Sequence, residues 1–151
     1  MRAERLPLVP AEVSILVPGR PVNPKNMRGL GRHKHWRMVA DARLKACQAM
    51  LTARLGARLD RWPWEPDVPK VVTFTAQLRH LLDDDNLRLA LSPIRDALGD
   101  AGLIGKTPGT VRGQGRVKDG PGDGHSFEYR QIKAPTPAHL GVVVTVRARP
   151  A

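Results

Sequence analysis

Between Lys70 and Gly102 the apolar pattern changes period once, and that change constrains the fold more than any other feature. Val72, Phe74, Ala76 and Leu78 alternate with Val71, Thr73, Thr75 and Gln77. A period of two predicts a strand over 70–78 with one face toward a core, and Leu81 and Leu82 read as its extension. From Asp85 the spacing lengthens. Leu87, Leu91, Ile94 and Leu98 share one face of a predicted helix that begins near Asp85 and stops at Gly102. Pro93 lies inside it and is expected to kink it.

The flanks repeat the alternation of strand and helix. Val13–Val17, apolar and β-branched, runs into Pro18-Gly19 and predicts a strand and a turn. The Gly- and Pro-bearing stretch up to Arg37 predicts a loop. Ala40, Leu44, Cys47, Leu51 and Leu55 then predict an amphipathic helix over 37–58 whose stripe lies on the sheet. Residues 105–125 hold seven glycines and two prolines and read as an insertion or flexible loop. Phe127–Ile132 and Leu140–Val146 read as two strands joined by a turn. The order predicts an α+β fold, a small mixed sheet with two main helices packed on one face.

At 151 residues the chain is expected to form a single domain over 1–151. One cysteine, Cys47, excludes an intramolecular disulfide framework and suits a reducing, cytoplasmic setting. No apolar run approaches the ~20 residues of a membrane span, and no membrane partner is expected.

Charge is unevenly placed along the chain. The formal net charge is +11, with +9 in residues 20–61, −3 in 83–100 and +5 after residue 100. A basic majority of this kind attracts polyanions. Arg20, Lys25, Arg28, Arg32, Lys34 and Arg37 lie within eighteen residues, and such side chains hold phosphates without reading sequence. Trp36 could stack on an unpaired base or enter the core, while Trp62 and Trp64 read as a hydrophobic anchor of their connection or part of a subunit interface.

The acidic minority is concentrated in Leu81-Leu82-Asp83-Asp84-Asp85-Asn86-Leu87. If the strand continues to Asp85, Asp83 and Asp85 share a face and Asp84 points away. Two converging carboxylates favour a hydrated Mg²⁺ that also takes substrate phosphate. The alternative is that these acids cap a helix and complement its dipole.

The run Asp83-Asp84-Asp85-Asn86-Leu87, followed by Asp96-Ala97-Leu98 and Ala101-Gly102-Leu103-Ile104, resembles the signature of the RusA family of Holliday-junction resolvases. Ile15-Leu16-Val17-Pro18-Gly19-Arg20-Pro21-Val22 is similar to that family's opening strand and turn. The resemblance implies a RusA-like homodimer, encoded by bacteria or on prophages, that uses Mg²⁺ to cut four-way DNA junctions in recombination and repair. It places Asp83 and Asp85 as catalytic metal ligands and Asn86 in support.

Two positions depart from the family pattern. Leu89 stands where a lysine is usual, with Arg88 beside it, and Gly105-Lys106 stands where an acidic pair is usual. If 105–117 is an insertion, Asp119 becomes the third acid, with Asp123 a weaker candidate; otherwise Asp119 is a turn residue. Arg88 or Lys106 could supply a cation to the departing oxyanion. Two expectations follow: a Mg²⁺-dependent junction endonuclease, or a catalytically impaired RusA-like protein that binds junctions.

Overall fold

The computed structural model describes residues 12–21, 32–107, 117, 118 and 120–150, with 32–35 and 121 described by backbone alone. Its elements run β1 (Glu12–Pro18), α1 (Arg32–Gly56), β2 (Lys70–Leu78), α2 (Asp84–Asp100), β3 (Ser126–Lys133) and β4 (Gly141–Ala148). The class is α+β: a mixed four-stranded sheet and two helices. Among the described residues no helix is long and apolar enough to cross a membrane.

The sheet order is β1-β4-β2-β3, antiparallel except for the parallel pair β2 and β3. The last two strands are therefore not the adjacent pair that a simple turn would give. β3 lies at an edge beside β2, and the chain passes β2 to place β4 between β1 and β2. Val72, Phe74, Ala76 and Leu78 meet Ile15, Val17, Val142, Val144 and Val146 in one buried cluster with both helices. Phe74 is fully buried, its ring stacked 5.4 Å from Tyr129 and 6.4 Å from Phe127. The register leaves Ser14, Thr145, Thr73 and Glu128 in one cross-strand row on the opposite face, linked by Ser14 Oγ to Thr145 Oγ1 at 3.4 Å and Thr73 Oγ1 to Glu128 Oε2 at 3.1 Å.

α1 begins at Arg32, inside the stretch expected to be loop, and its core face overlaps the predicted stripe only in part: Cys47 and Leu51 pack half-buried against the core. Ala46 and Met50 are buried, whereas Leu44 and Leu55 are 56% and 67% exposed. α2 continues through Pro93 without ending. Proline leaves the Leu89 carbonyl without its helical N–H donor, and Ser92 Oγ donates to that carbonyl at 2.8 Å. Gly102, at φ +77°, turns the chain out of the helix in a conformation that costs glycine little.

The connection over 57–69 is fixed at two points. Trp62 is buried and its indole Nε1 donates to the Ala101 carbonyl at 2.8 Å. Lys70, at the first position of β2, is fully buried, and its Nζ donates to the carbonyls of Glu65 (2.7 Å), Pro66 (3.1 Å) and Val68 (2.9 Å). Its backbone N–H donates to His125 Nδ1 at 3.2 Å. Burial, with Lys70 close by, holds His125 below its usual range, consistent with an unprotonated Nδ1 acceptor.

The Gly-rich segment is partly built into the fold. Lys106 and Val117 form an isolated antiparallel bridge, Val117 is 2% exposed and belongs to the core, and Pro121–Asp123 forms a 3₁₀ turn.

Candidate functional site at the start of α2

β2 ends at Leu78, and no strand reaches the acidic run. Instead the side-chain amide of Gln131 on β3 takes the place of a strand partner for Leu82. Leu82 N–H donates to Gln131 Oε1 at 2.8 Å, and Gln131 Nε2 donates to the Leu82 carbonyl at 2.5 Å. This clamp sets the chain just before α2 against the end of β3.

Asp83 follows immediately as the N-cap of α2, with extended backbone at φ −67°, ψ 165°. Its Oδ1 accepts from Asn86 N at 2.8 Å and its Oδ2 from Asn86 Nδ2 at 3.0 Å. Asp84 and Asp85 occupy the first helical turn and are exposed. The strand geometry expected to put Asp83 and Asp85 on one face is therefore replaced by a cap followed by a helical turn, where successive side chains diverge by about 100°. All three carboxylates sit at the positive end of the helix dipole. Asp83 is a cap, as the alternative reading expected, and Asn86 aligns both of its oxygens.

One atom here lacks a partner. Asn86 Oδ1 is buried with no hydrogen-bond donor among the described residues, and Asn86 Nδ2 is already committed to Asp83. A buried acceptor of this kind is completed by water or by a hard cation. Among the described residues no group of three or more His, Cys, Asp or Glu side chains is placed to hold a metal ion. Any ion at the start of α2 would therefore be held by one or two carboxylates and water, not by an all-protein cage.

The cap makes a separable prediction. Asp83→Ala removes the acceptor for the Asn86 N–H and is expected to cost about 1 kcal/mol, whereas Asp83→Asn keeps that cap, loses the acceptor for Asn86 Nδ2 and the charge at the helix dipole, and costs about half as much. Chemical denaturation of the two variants checks this.

Other residues singled out from the sequence lie elsewhere. Arg88 is held over the Tyr129 ring, 5.5 Å from its centroid, and Tyr129 Oη accepts from Arg95 Nη1 at 3.1 Å. Leu89, in place of the family's lysine, is 41% exposed. Lys106 donates to Asp100 Oδ1 at 2.9 Å beyond the C-terminal end of α2, a helix of 17 residues and so about 25 Å long. It is not a cation for the Asp83 end.

Asp119 lies outside the described residues. Asp123 Oδ2 accepts from Gly120 N at 2.9 Å within its own turn. Of the basic set, Arg20 and Arg37 are exposed. Arg32 and Lys34 lie within α1, and Lys25 and Arg28 fall outside the described residues. Trp36 is 60% exposed on α1 and is not part of the core.

Sequence reasoning missed the ion cluster that joins the helices. Arg43 on α1 donates from Nε and Nη2 to the two carboxylate oxygens of Asp100, at 2.5 and 2.8 Å, while Lys106 shares Oδ1. Burial works against the Asp100 carboxylate, but the hydrogen bonds from Arg43 and Lys106 outweigh it and hold its pKa below the usual value. No pattern in the sequence pairs residues fifty-seven apart.

No protein-family profile and no curated protein sequence matches the chain.

Proposed function

We propose that this protein is a Mg²⁺-dependent endodeoxyribonuclease that cuts branched, four-way DNA. The observation that carries the reading is the Asp83-Asp84-Asp85-Asn86 run at the start of α2, where Asn86 aligns the Asp83 carboxylate and keeps an unpartnered oxygen beside it. The resemblance of that run, with Asp96-Ala97-Leu98 and Gly102-Leu103-Ile104, to RusA resolvases supports the reaction class. The +11 net charge supports a polyanionic substrate.

In this reading Asp83 and Asp85 hold the ion. Bound there, Mg²⁺ would polarise a phosphoryl oxygen and lower the pKa of a water for phosphodiester hydrolysis. Asn86 fixes the Asp83 carboxylate. Arg20 and Arg37, with Lys25, Arg28, Arg32 and Lys34, hold the DNA backbone. Asp119, the third acid of the family comparison, lies outside the described residues. A cytoplasmic homodimer from a bacterium or a prophage belongs to the same proposal.

Leu89 at the usual lysine position and Gly105-Lys106 at the acidic pair favour a second reading, a junction-binding protein with impaired catalysis. The two separate cleanly. Purified protein is incubated with a labelled four-way junction in Mg²⁺ and in Mn²⁺, and binding is titrated against salt. The first reading expects nicked duplex products. The second expects tight binding that weakens steeply with salt and no cleavage in either metal.

A further inference from the structure

β3 presents Tyr129 and Gln131 on the side that faces α2, and each holds a different part of that helix's start. Gln131 clamps Leu82 and so sets Asp83. Tyr129 stands two residues earlier, about 7 Å along the strand, with the Arg88 guanidinium over its ring, 5.5 Å from the centroid. The ring is itself fixed twice. It stacks on fully buried Phe74 at 5.4 Å, and its Oη accepts from Arg95 Nη1 at 3.1 Å. Arg88 is exposed above it.

An acid four residues before a base on a helix ordinarily pairs with it, as Asp41 and Lys45 on α1 do at 3.0 Å. Asp84 and Arg88 have the same spacing, yet among the described residues Arg88 makes no ion pair. Its guanidinium is drawn to the ring instead, where its plane stacks and its N–H groups stay available at the edge. Arg95 brings a second positive charge to the same phenol. A guanidinium held in place with its donors unspent, beside a second one, suits an oxyanion taken bidentately, and a phosphate in particular.

We propose that Arg88 binds a backbone phosphate of the DNA next to the one that reaches the acidic run, and that Tyr129 is the positioning residue that holds Arg88 for it. Arg88 stands about one helical turn beyond Asp85, so a strand laid along the start of α2 meets both. The guanidinium is turned toward β3, and its phosphate is therefore a neighbour of the scissile one. This rests on the functional proposal for the identity of the polyanion and not for its cleavage.

The experiment titrates the full chain against a fluorescently labelled four-way junction in EDTA, reading anisotropy over a series of salt concentrations, with a melting curve for every variant. Each phosphate contact contributes about one to the slope of log affinity against log salt. Arg88→Gln is expected to lower that slope by about one and to melt close to the parent. Arg147→Gln, on the opposite face of the sheet, is expected to keep the parent slope. Tyr129→Leu removes the ring and is expected to lose the same contact, with the double variant binding no worse than Arg88→Gln alone. Tyr129→Phe keeps the ring and is expected to keep the slope.

An Arg88→Gln slope equal to the parent's overturns the proposal. So does a double variant in which the two losses add, because Tyr129 then acts apart from Arg88. Where Tyr129→Leu fails to fold, Arg88→Gln and Tyr129→Phe decide the matter. Cleavage in Mg²⁺ is read separately. A parent that binds without cutting contradicts the nuclease reading and leaves the Arg88 contact standing, whereas an unchanged slope with cleavage intact overturns this inference alone.

Discussion

Lys70→Met is expected to be the most destabilising of the single substitutions considered. The ammonium satisfies three carbonyls of the 65–68 segment from a fully buried position. Methionine matches its length but leaves those acceptors without a donor. At roughly 1 kcal/mol or more for each acceptor left unsatisfied, the loss is about 3 kcal/mol. In a chain of this size that corresponds to a melting temperature lower by about 6–12 °C. Urea and thermal denaturation of parent and variant measure it.

A pH signature accompanies the substitution. Burial pushes the Lys70 ammonium down to about 8, while in the unfolded chain it keeps the ordinary lysine value of about 10.4. Between these values the unfolded state binds the proton that the folded state has released, so this group's contribution to stability rises with pH. The stability of the parent minus that of Lys70→Met is therefore expected to increase from pH 8 to pH 10 and to be flat below pH 7. A difference that stays flat throughout would place the lysine in an environment more like water.

The second large effect is on activity. Asp83→Asn and Asp85→Asn are each expected to reduce junction cleavage on the order of 10²- to 10³-fold, the loss usual when one group that stabilises developing charge is removed. Both variants should melt close to the parent. Asn caps a helix as well as Asp, and Asp85 is exposed. This pairing matters because Asp83 has a structural role as well. Loss of cleavage in Asp83→Ala alone would be ambiguous, whereas its loss in Asp83→Asn with stability retained assigns the effect to the carboxylate charge. Variants that cut as well as the parent would remove both residues from the site.

Where the chain's own periodicity decides structure, the sequence was readable. β2 occupies 70–78 as the alternation predicts, and α2 follows the spacing of Leu87, Leu91, Ile94 and Leu98. α1 misled because its apolar residues spread over more than one face. Periodicity selects the stripe richest in leucine, whereas the core takes the face centred on Ala46 and Met50 and shares only Cys47 and Leu51 with that stripe.

The placement of β4 between β1 and β2 was invisible because strand order depends on contacts between distant segments, and adjacency in sequence favours a hairpin that does not form. The burial of Lys70 was equally hidden. A lysine opening a strand reads as solvent-facing until the preceding loop folds its carbonyls over it.

At the candidate site the sequence displays the acidic run but not its geometry. The three-residue interval from Asp83 to Asn86 is a capping interval as much as a motif. A continued strand and a capped helix place the same carboxylates differently, and the helix prevails because Asp83 satisfies the otherwise free N–H of Asn86 in its first turn.

The central claim is that the acids at the start of α2 serve a metal-dependent nuclease. Its most direct test is the purified parent protein with an end-labelled four-way junction, in Mg²⁺ and in EDTA, beside linear duplex of the same sequence. The account predicts cleavage of the junction in Mg²⁺, none in EDTA, and little of the linear duplex. A parent that binds the junction and leaves it intact in Mg²⁺, or that cuts it equally well in EDTA, would contradict it.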